Sequence, residues 1–114
     1  MDKLTRYRAA VKTCLLDRFA YLDRAGPKNG VETECVFDEP RDNYMVVHTG
    51  WHAGSWQRSV YIFVRIRGGK VWIEEDMSDD PVADELVRAG VPKEDIVLAF
   101  QPPELRHLND FAVA

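Results

Sequence analysis

The stretch YIFVRIRGGKVWIEED, from Tyr61 to Asp76, alternates apolar and polar residues on both sides of a Gly-Gly pair. Two glycines tolerate the positive φ that a two-residue hairpin turn requires, so the stretch predicts two antiparallel strands. A loop of this length pairs Arg67 with Lys70 and, counting outward, Val64 with Ile73. That register predicts one core-facing row: Val64, Ile66, Val71 and Ile73.

The same register predicts an outer face of aromatic and charged side chains, namely Tyr61, Phe63, Arg65, Trp72 and Glu74. Such a mixture can cover itself through cation–π contact, or it can receive another surface. The hairpin also collects basic residues that could contact nucleic-acid phosphates: Arg58, Arg65, Arg67 and Lys70. Nearby acidic residues weaken the field of that basic cluster.

The segments before the hairpin predict one helix and two further strands. Apolar residues recur every three or four positions from Leu4 to Leu22, as on one face of an amphipathic helix. Ala25-Gly26-Pro27 predicts the end of that helix, since glycine suits the cap and proline cannot continue it. Alternation with period two predicts a strand at 31–37, and β-branched and aromatic residues predict another at 43–51.

The segments after the hairpin predict a second helix and short terminal elements. Asp80-Pro81 predicts its N-cap and first helical position, and Gly90 its end. The apolar run 96–100 is too short to assign from its period, and Pro102-Pro103-Glu104 predicts one more helical turn. The fold class expected over residues 1–114 is therefore a single α+β domain: an N-terminal helix, a four-stranded antiparallel sheet, a second helix and short C-terminal elements.

Length and composition predict a globular protein whose core needs no metal or disulfide. With 114 residues, 46% hydrophobic residues and 30% charged residues, the chain suits one packed core. A formal charge of −4 is the wrong sign for binding nucleic acid chiefly by counterion release. The charged opening and the absence of a long apolar stretch predict a cytoplasmic protein, in which Cys14 and Cys35 are reduced, buried thiols.

The residues with catalytic potential do not form a recognisable site in the sequence. His48 and His52 lie about 13 Å apart if they share a strand, too far for one metal ion. The acidic run 74–80 could hold Mg²⁺ for a nuclease through Glu74, Asp76 and Asp79, but its position before a helix favours capping. We find no glycine-rich phosphate loop and no nucleophile elbow, and we predict no catalytic, metal or cofactor-binding residue.

Four segments together resemble one known family. They are MDKLTRYR at the start, FDEPRDNYMVVHTGW, GGKVWIEEDMSDD, and GVPKEDIVLAFQPPELRHLNDFAVA at the end. The sequence is similar along nearly its whole length to the XisI family, the fdxN element excision controlling factors of cyanobacteria. The loop 52–55 and Asn109-Asp110 depart from the family pattern.

The resemblance implies a non-enzymatic accessory protein. It implies action beside a site-specific recombinase and a second factor, XisH, in excision of a DNA element in heterocysts. Because XisH resembles nuclease-like folds, the chain is expected to bind it, and to restrain or chaperone it. The expected contact residues are Tyr61, Phe63, Arg65, Trp72, Glu104, Arg106, His107 and Phe111.

Three alternatives remain open at this stage. The first is direct DNA binding through the basic hairpin, and the second is a divalent-metal nuclease that uses the acidic run. The third is an inhibitor or chaperone of an XisH-like protein that has no connection with excision. A homodimer is also expected to be able to form, because an exposed aromatic sheet face can be buried against its own copy.

Overall fold

The computed structural model describes residues 2–24 and 30–114. One five-stranded sheet, in the order β1-β2-β3-β4-β5, packs its inner face against two helices. The helices are α1 (Lys3–Asp23) and α2 (Val82–Arg88); the strands are β1 (Val31–Asp38), β2 (Asn43–His52), β3 (Ser55–Arg67), β4 (Lys70–Asp76) and β5 (Ile96–Leu98). The predicted helix end at Ala25-Gly26-Pro27 lies outside the described residues.

The hairpin of β3 and β4 has the predicted register. Arg67 pairs with Lys70, Ile66 with Val71, Arg65 with Trp72 and Val64 with Ile73. Both turn glycines adopt positive φ, at 58° and 77°. The predicted core row is confirmed, because its four side chains are all buried against the helices.

The sheet contains one strand more than predicted, so the expectation of four antiparallel strands is corrected to five. β5 pairs in parallel with β4, from Val71–Ile96 to Ile73–Leu98. A run of three residues is too short for its period to identify it as a strand. Helix α2 supplies the crossover that a parallel neighbour needs, and this depends on the packing of the whole chain.

Tyr61 lies on the inner face, contrary to the predicted outer position. The register of β2 and β3 shifts between Val46 and Val47, where Ile62 and Val60 are the successive partners. Tyr61 is the extra residue of this β-bulge, and its ring packs against the core and lies 4.9 Å from the His48 ring. A bulge changes which side a residue faces, and the alternation of the sequence does not reveal it.

The core lies between the inner face and the helices. From α1 it takes Tyr7, Val11, Cys14 and Leu15, all buried, while Cys35 on β1 is only half-buried. Tyr44, Ile62 and Leu86 are among the largest side chains that are fully buried there. No helix among the described residues is long and apolar enough to cross a bilayer; the cytoplasmic location stays a prediction.

The cap of α2 comes from a different residue than predicted. Asp80 makes no side-chain cap; the Val82 N–H instead donates to Asp76 Oδ2 over 2.7 Å. Asp76 also accepts from the Ser78 N–H at 3.0 Å. The end of the helix is as predicted, because Gly90 has φ of 102° and its N–H donates to the Val87 carbonyl.

Asp42 joins three parts of the fold at the turn between β1 and β2. Its carboxylate accepts two hydrogen bonds from the Arg8 guanidinium on α1, at 2.9 and 3.0 Å, and one from the buried Tyr44 hydroxyl at 2.8 Å. Its carbonyl accepts from the Ile66 N–H at 3.1 Å. The turn places Asp42 in the left-handed region, with φ of 55°, which Asp and Asn tolerate better than most residues.

We predict that Asp42→Asn destabilises the fold by about 1–3 kcal/mol at pH 7, because a carboxylate hydrogen-bonded to a guanidinium becomes neutral. Hydrogen bonds from Arg8 and Tyr44 lower the pKa of Asp42 below its ordinary 3.8. The ionised form therefore favours folding, and its contribution is lost as the pH falls from 3.8 through the lower folded value. Urea unfolding between pH 7 and pH 2 should show that the difference in unfolding free energy between the variant and wild type shrinks in acid.

Asp38→Asn is the matched control, because the one ion pair of Asp38 among the described residues is with the exposed Arg41. An exposed pair of this kind contributes little, so its unfolding free energy should stay within about 0.5 kcal/mol of wild type. If the difference in unfolding free energy between Asp42→Asn and wild type stays constant down to pH 2, the effect does not come from the Asp42 charge.

Candidate partner-binding surfaces

Arg106 fastens the C-terminal segment to the outer face of the sheet. Its side chain is 9% exposed, and its guanidinium donates to the carbonyls of Ala99, Gln101 and Val113 at 3.1, 3.0 and 3.2 Å. Its Cζ lies 5.8 Å from the centroid of the Trp72 ring. Two predicted contact residues, Arg106 and Trp72, therefore pack on each other within the chain.

The segment around Arg106 is a 3-10 helix, Pro103–Leu108, which begins where the proline pair predicted a helical turn. Side chains three residues apart eclipse in a 3-10 helix, so Arg106 faces the sheet and its neighbours form two outward strips. Glu104 and His107 form the polar strip, and both are exposed. The other strip, Leu105 and Leu108, is 47% and 73% exposed.

We call these four exposed residues, Glu104, Leu105, His107 and Leu108, the C-terminal surface. The two leucines were missed in the sequence because isolated apolar residues near a chain end are ordinary. In a 3-10 helix from Pro103 to Leu108, residues three apart share one side, so once Arg106 faces inward Leu105 and Leu108 must share an outward side. The contact role of Glu104 and His107 stays a prediction.

The end of the chain is tied down by its backbone and by Phe111. The Ala112 N–H donates to the Ile96 carbonyl at 2.8 Å and forms a bridge beside β5. The Phe111 ring packs partly buried against the core, with Lys93 Nζ at 5.7 Å from its centroid. Phe111 is therefore half-buried, and its predicted contact with a partner stays a prediction.

The far half of the sheet carries a second exposed surface on the face opposite α1. Strand pairing places rows of residues side by side there, including Glu32 beside Thr49 and Thr49 beside Arg58. We call this surface the distal outer face; it comprises Glu32, Glu34, Val36, Met45, Val47, Thr49, Trp51, Trp56, Arg58 and Val60. Phe63, predicted on the outer face, lies half-buried at its border beside Met45.

The four basic residues of the hairpin do not form one patch. The Arg67 guanidinium donates to the carbonyls of Arg41, Asp42 and Ile66 and to Asn43 Oδ1. Lys70 Nζ donates to the Ala114 carbonyl, and Arg65 Nε is buried 4.0 Å from Glu74 Oε2. Of these four residues only Arg58 is classed as exposed, so most of this charge is engaged within the chain.

The acidic run separates its carboxylates rather than gathering them. Glu74 pairs with Arg65 on the outer face, and Asp76 holds the start of α2. Asp79 is exposed and lines a groove of about 420 Å³ beside Tyr61 and Arg18. Within residues 2–24 and 30–114, no three His, Cys, Asp or Glu side chains group as metal ligands would.

Burial shifts the pKa values of the two thiols and of the half-buried His48. Burial raises the pKa of the Cys14 thiol to about 12 and also raises the pKa of Cys35. Burial lowers the pKa of His48, whose Nδ1 lies 3.0 Å from Thr33 Oγ1. At neutral pH the two thiols are protonated, and a thiol is a weak nucleophile.

Comparisons with known proteins show that nearly the whole chain is similar to one protein family. The family model described as XisI protein matches residues 1–113. A crystal structure of the fdxN element excision controlling factor XisI from Anabaena variabilis is 34% identical, with a TM-score of 0.86, over 99% of this chain and 100% of that one. An XisI-like protein from the same organism is 35% identical, with a TM-score of 0.87, over 97% and 99%. No curated protein matches the sequence.

We predict that Arg106→Lys releases the C-terminal segment while the core stays folded. The three carbonyls bind three different guanidinium nitrogens, whereas the donors of a lysine all lie on one nitrogen and cannot span the same positions. Each lost bond from a charged group costs about 1.5–3 kcal/mol. Amide hydrogen exchange at Ala112 should accelerate on the order of 100-fold, because local opening controls it. His107→Ala, next to Arg106 but exposed, is the control and should leave that rate unchanged; equal protection in both variants would refute the fastening role.

Proposed function

This chain belongs to the XisI family, as the four sequence segments predicted, and we propose that it acts as a non-enzymatic controlling factor in the excision of a DNA element of the fdxN type. The observation that carries the proposal is the match to the fdxN element excision controlling factor XisI over 99% of this chain and 100% of that chain. In a heterocyst-forming cyanobacterium, this role would serve programmed DNA rearrangement.

The proposed absence of catalysis is supported by how the reactive groups are used. Asp76 caps α2, Arg67 and Arg106 donate to main-chain carbonyls, and burial keeps the Cys14 thiol protonated. Groups committed to structural contacts are poorly placed to serve as general acids, bases or nucleophiles. Control exerted through protein contact requires none of these chemical roles.

The partner that we propose is an XisH-like protein of nuclease-like fold, which this chain restrains or chaperones; a site-specific recombinase would be affected through that complex. The C-terminal surface suits such a contact because the Arg106 hydrogen bonds hold it in place. Leu105 and Leu108 present apolar area beside the polar Glu104 and His107. A preorganised surface loses little entropy on binding.

We predict that co-expression of this chain with an XisH-like protein yields a stable complex. Leu105→Glu places a charge in the apolar strip and should weaken binding on the order of 10- to 100-fold in a pull-down or by calorimetry. Leu16→Glu on α1 is the matched control, because Leu16 and Leu105 are both 47% exposed. Binding by this control should equal wild type.

Two results would contradict this account in different ways. If the two unmodified proteins elute separately at micromolar concentration, the XisH-like partner is wrong. If they co-elute but Leu105→Glu and Leu16→Glu bind equally well, the partner is right and the C-terminal surface is the wrong contact. Binding that persists without excision in cells would favour an inhibitor or chaperone role alone.

We also predict that the isolated chain does not retard duplex DNA at micromolar concentration in low salt. Arg67 and Lys70 are engaged within the chain, while Glu32 and Glu34 lie on the same face as Arg58. Binding driven by phosphate contact needs several free cations. Retardation that is lost in Arg58→Glu would support the DNA-binding alternative instead.

A further inference from the structure

The distal outer face has charges of opposite sign on its two sides and an apolar strip between them. Glu32 and Glu34 are exposed on β1, and Arg58 is exposed on β3. Between them on β2 lie Met45 and Val47, both half-buried, which adjoin a further set of exposed apolar side chains: Val36 at 41%, Trp51 at 62%, Trp56 at 46% and Val60 at 38%. An apolar centre with a charged rim is the usual anatomy of a protein interface.

The charges on the two sides stand at matching heights. Glu32 pairs with Thr49 and Thr49 with Arg58, so the three residues form one row across the sheet. The next row is Glu34, Val47 and Val60. Strands lie about 4.8 Å apart, which separates the Glu32 and Arg58 backbones by about 10 Å.

No ion pair among residues 2–24 and 30–114 includes Arg58, Glu32 or Glu34.

We propose that the distal outer face binds a second copy of this chain about a two-fold axis parallel to β2. Rotation about such an axis keeps the height of each row and exchanges the two sides of the face. Arg58 of one copy then faces Glu32 and Glu34 of the other, and the same contact repeats on the far side. Val47 and Met45 meet their own counterparts on the axis.

The self-complementary charge pattern selects a second copy over a foreign partner. An isologous interface requires that one patch carry both halves of each contact, and this face has an acidic side and a basic side in the same row. Packed sheets lie about 10 Å apart, a gap that an arginine side chain can bridge from one layer to the other. Dimerisation goes beyond the proposed function, because it uses neither the C-terminal surface nor an XisH-like protein.

The test measures mass by sedimentation equilibrium of the full chain. Wild type should sediment at twice the 13.1 kDa of one chain. Arg58→Glu, and separately the double variant Glu32→Arg with Glu34→Arg, should each raise the dimer Kd on the order of 100-fold, because like charges then face each other. Arg6→Glu, which reverses an exposed charge on α1, is the matched control and should stay dimeric.

Mixing the two charge-reversed proteins in equal amounts is the decisive arm. Each reversed side chain then faces the opposite charge on the other protein, so the two-chain mass should return. That recovery also shows that both variants fold. A wild type of single-chain mass, a mixture that stays at single-chain mass, or dimers that survive both reversals would each overturn the proposal.

Discussion

Helices cover only one face of the five-stranded sheet, and the rest of the structure depends on this difference between its two faces. The apolar stripe of α1, with Val11 and Leu15 fully buried, closes the inner face together with α2. The outer face receives no α-helix among the described residues. Apolar area on this face can be covered by an irregular segment or by another chain, and its burial is favourable in water.

Near β5 an irregular segment of the chain covers the outer face. There the C-terminal segment crosses the outer face and buries Val97 completely, and the Arg106 guanidinium replaces the backbone partners that a sheet or helix would provide. A buried arginine suits this task because its planar donors can satisfy several carbonyls at once. The same helical turn leaves Leu105 and Leu108 exposed, and these are the residues through which we propose that the chain contacts a partner.

The far half of the sheet is the part that we propose another chain covers. Its strands extend beyond α1, and its face combines Trp51 and Trp56, 5.5 Å apart between ring centroids, with separated acidic and basic sides. A protein with formal charge −4 can still display such a local pattern. Two surfaces on different parts of the fold would allow a dimer to hold two partner molecules, so self-association and partner binding need not compete.

The sequence by itself determined the family, the α+β class, the helix α1, the first four strands and the register of the central hairpin. These follow from periodicity and turn chemistry, which act between near neighbours and are therefore legible along the chain. The tertiary structure alone decided the fifth strand, the inward turn of Tyr61 at a bulge, the cap from Asp76 and the burial of Arg106. Each of these depends on a partner brought close by packing: β4 beside Ile96, β2 beside Tyr61, α2 beside Asp76, and Trp72 beneath the arginine. A local pattern records the preference of a segment, but only the folded chain determines which side chains remain free to bind.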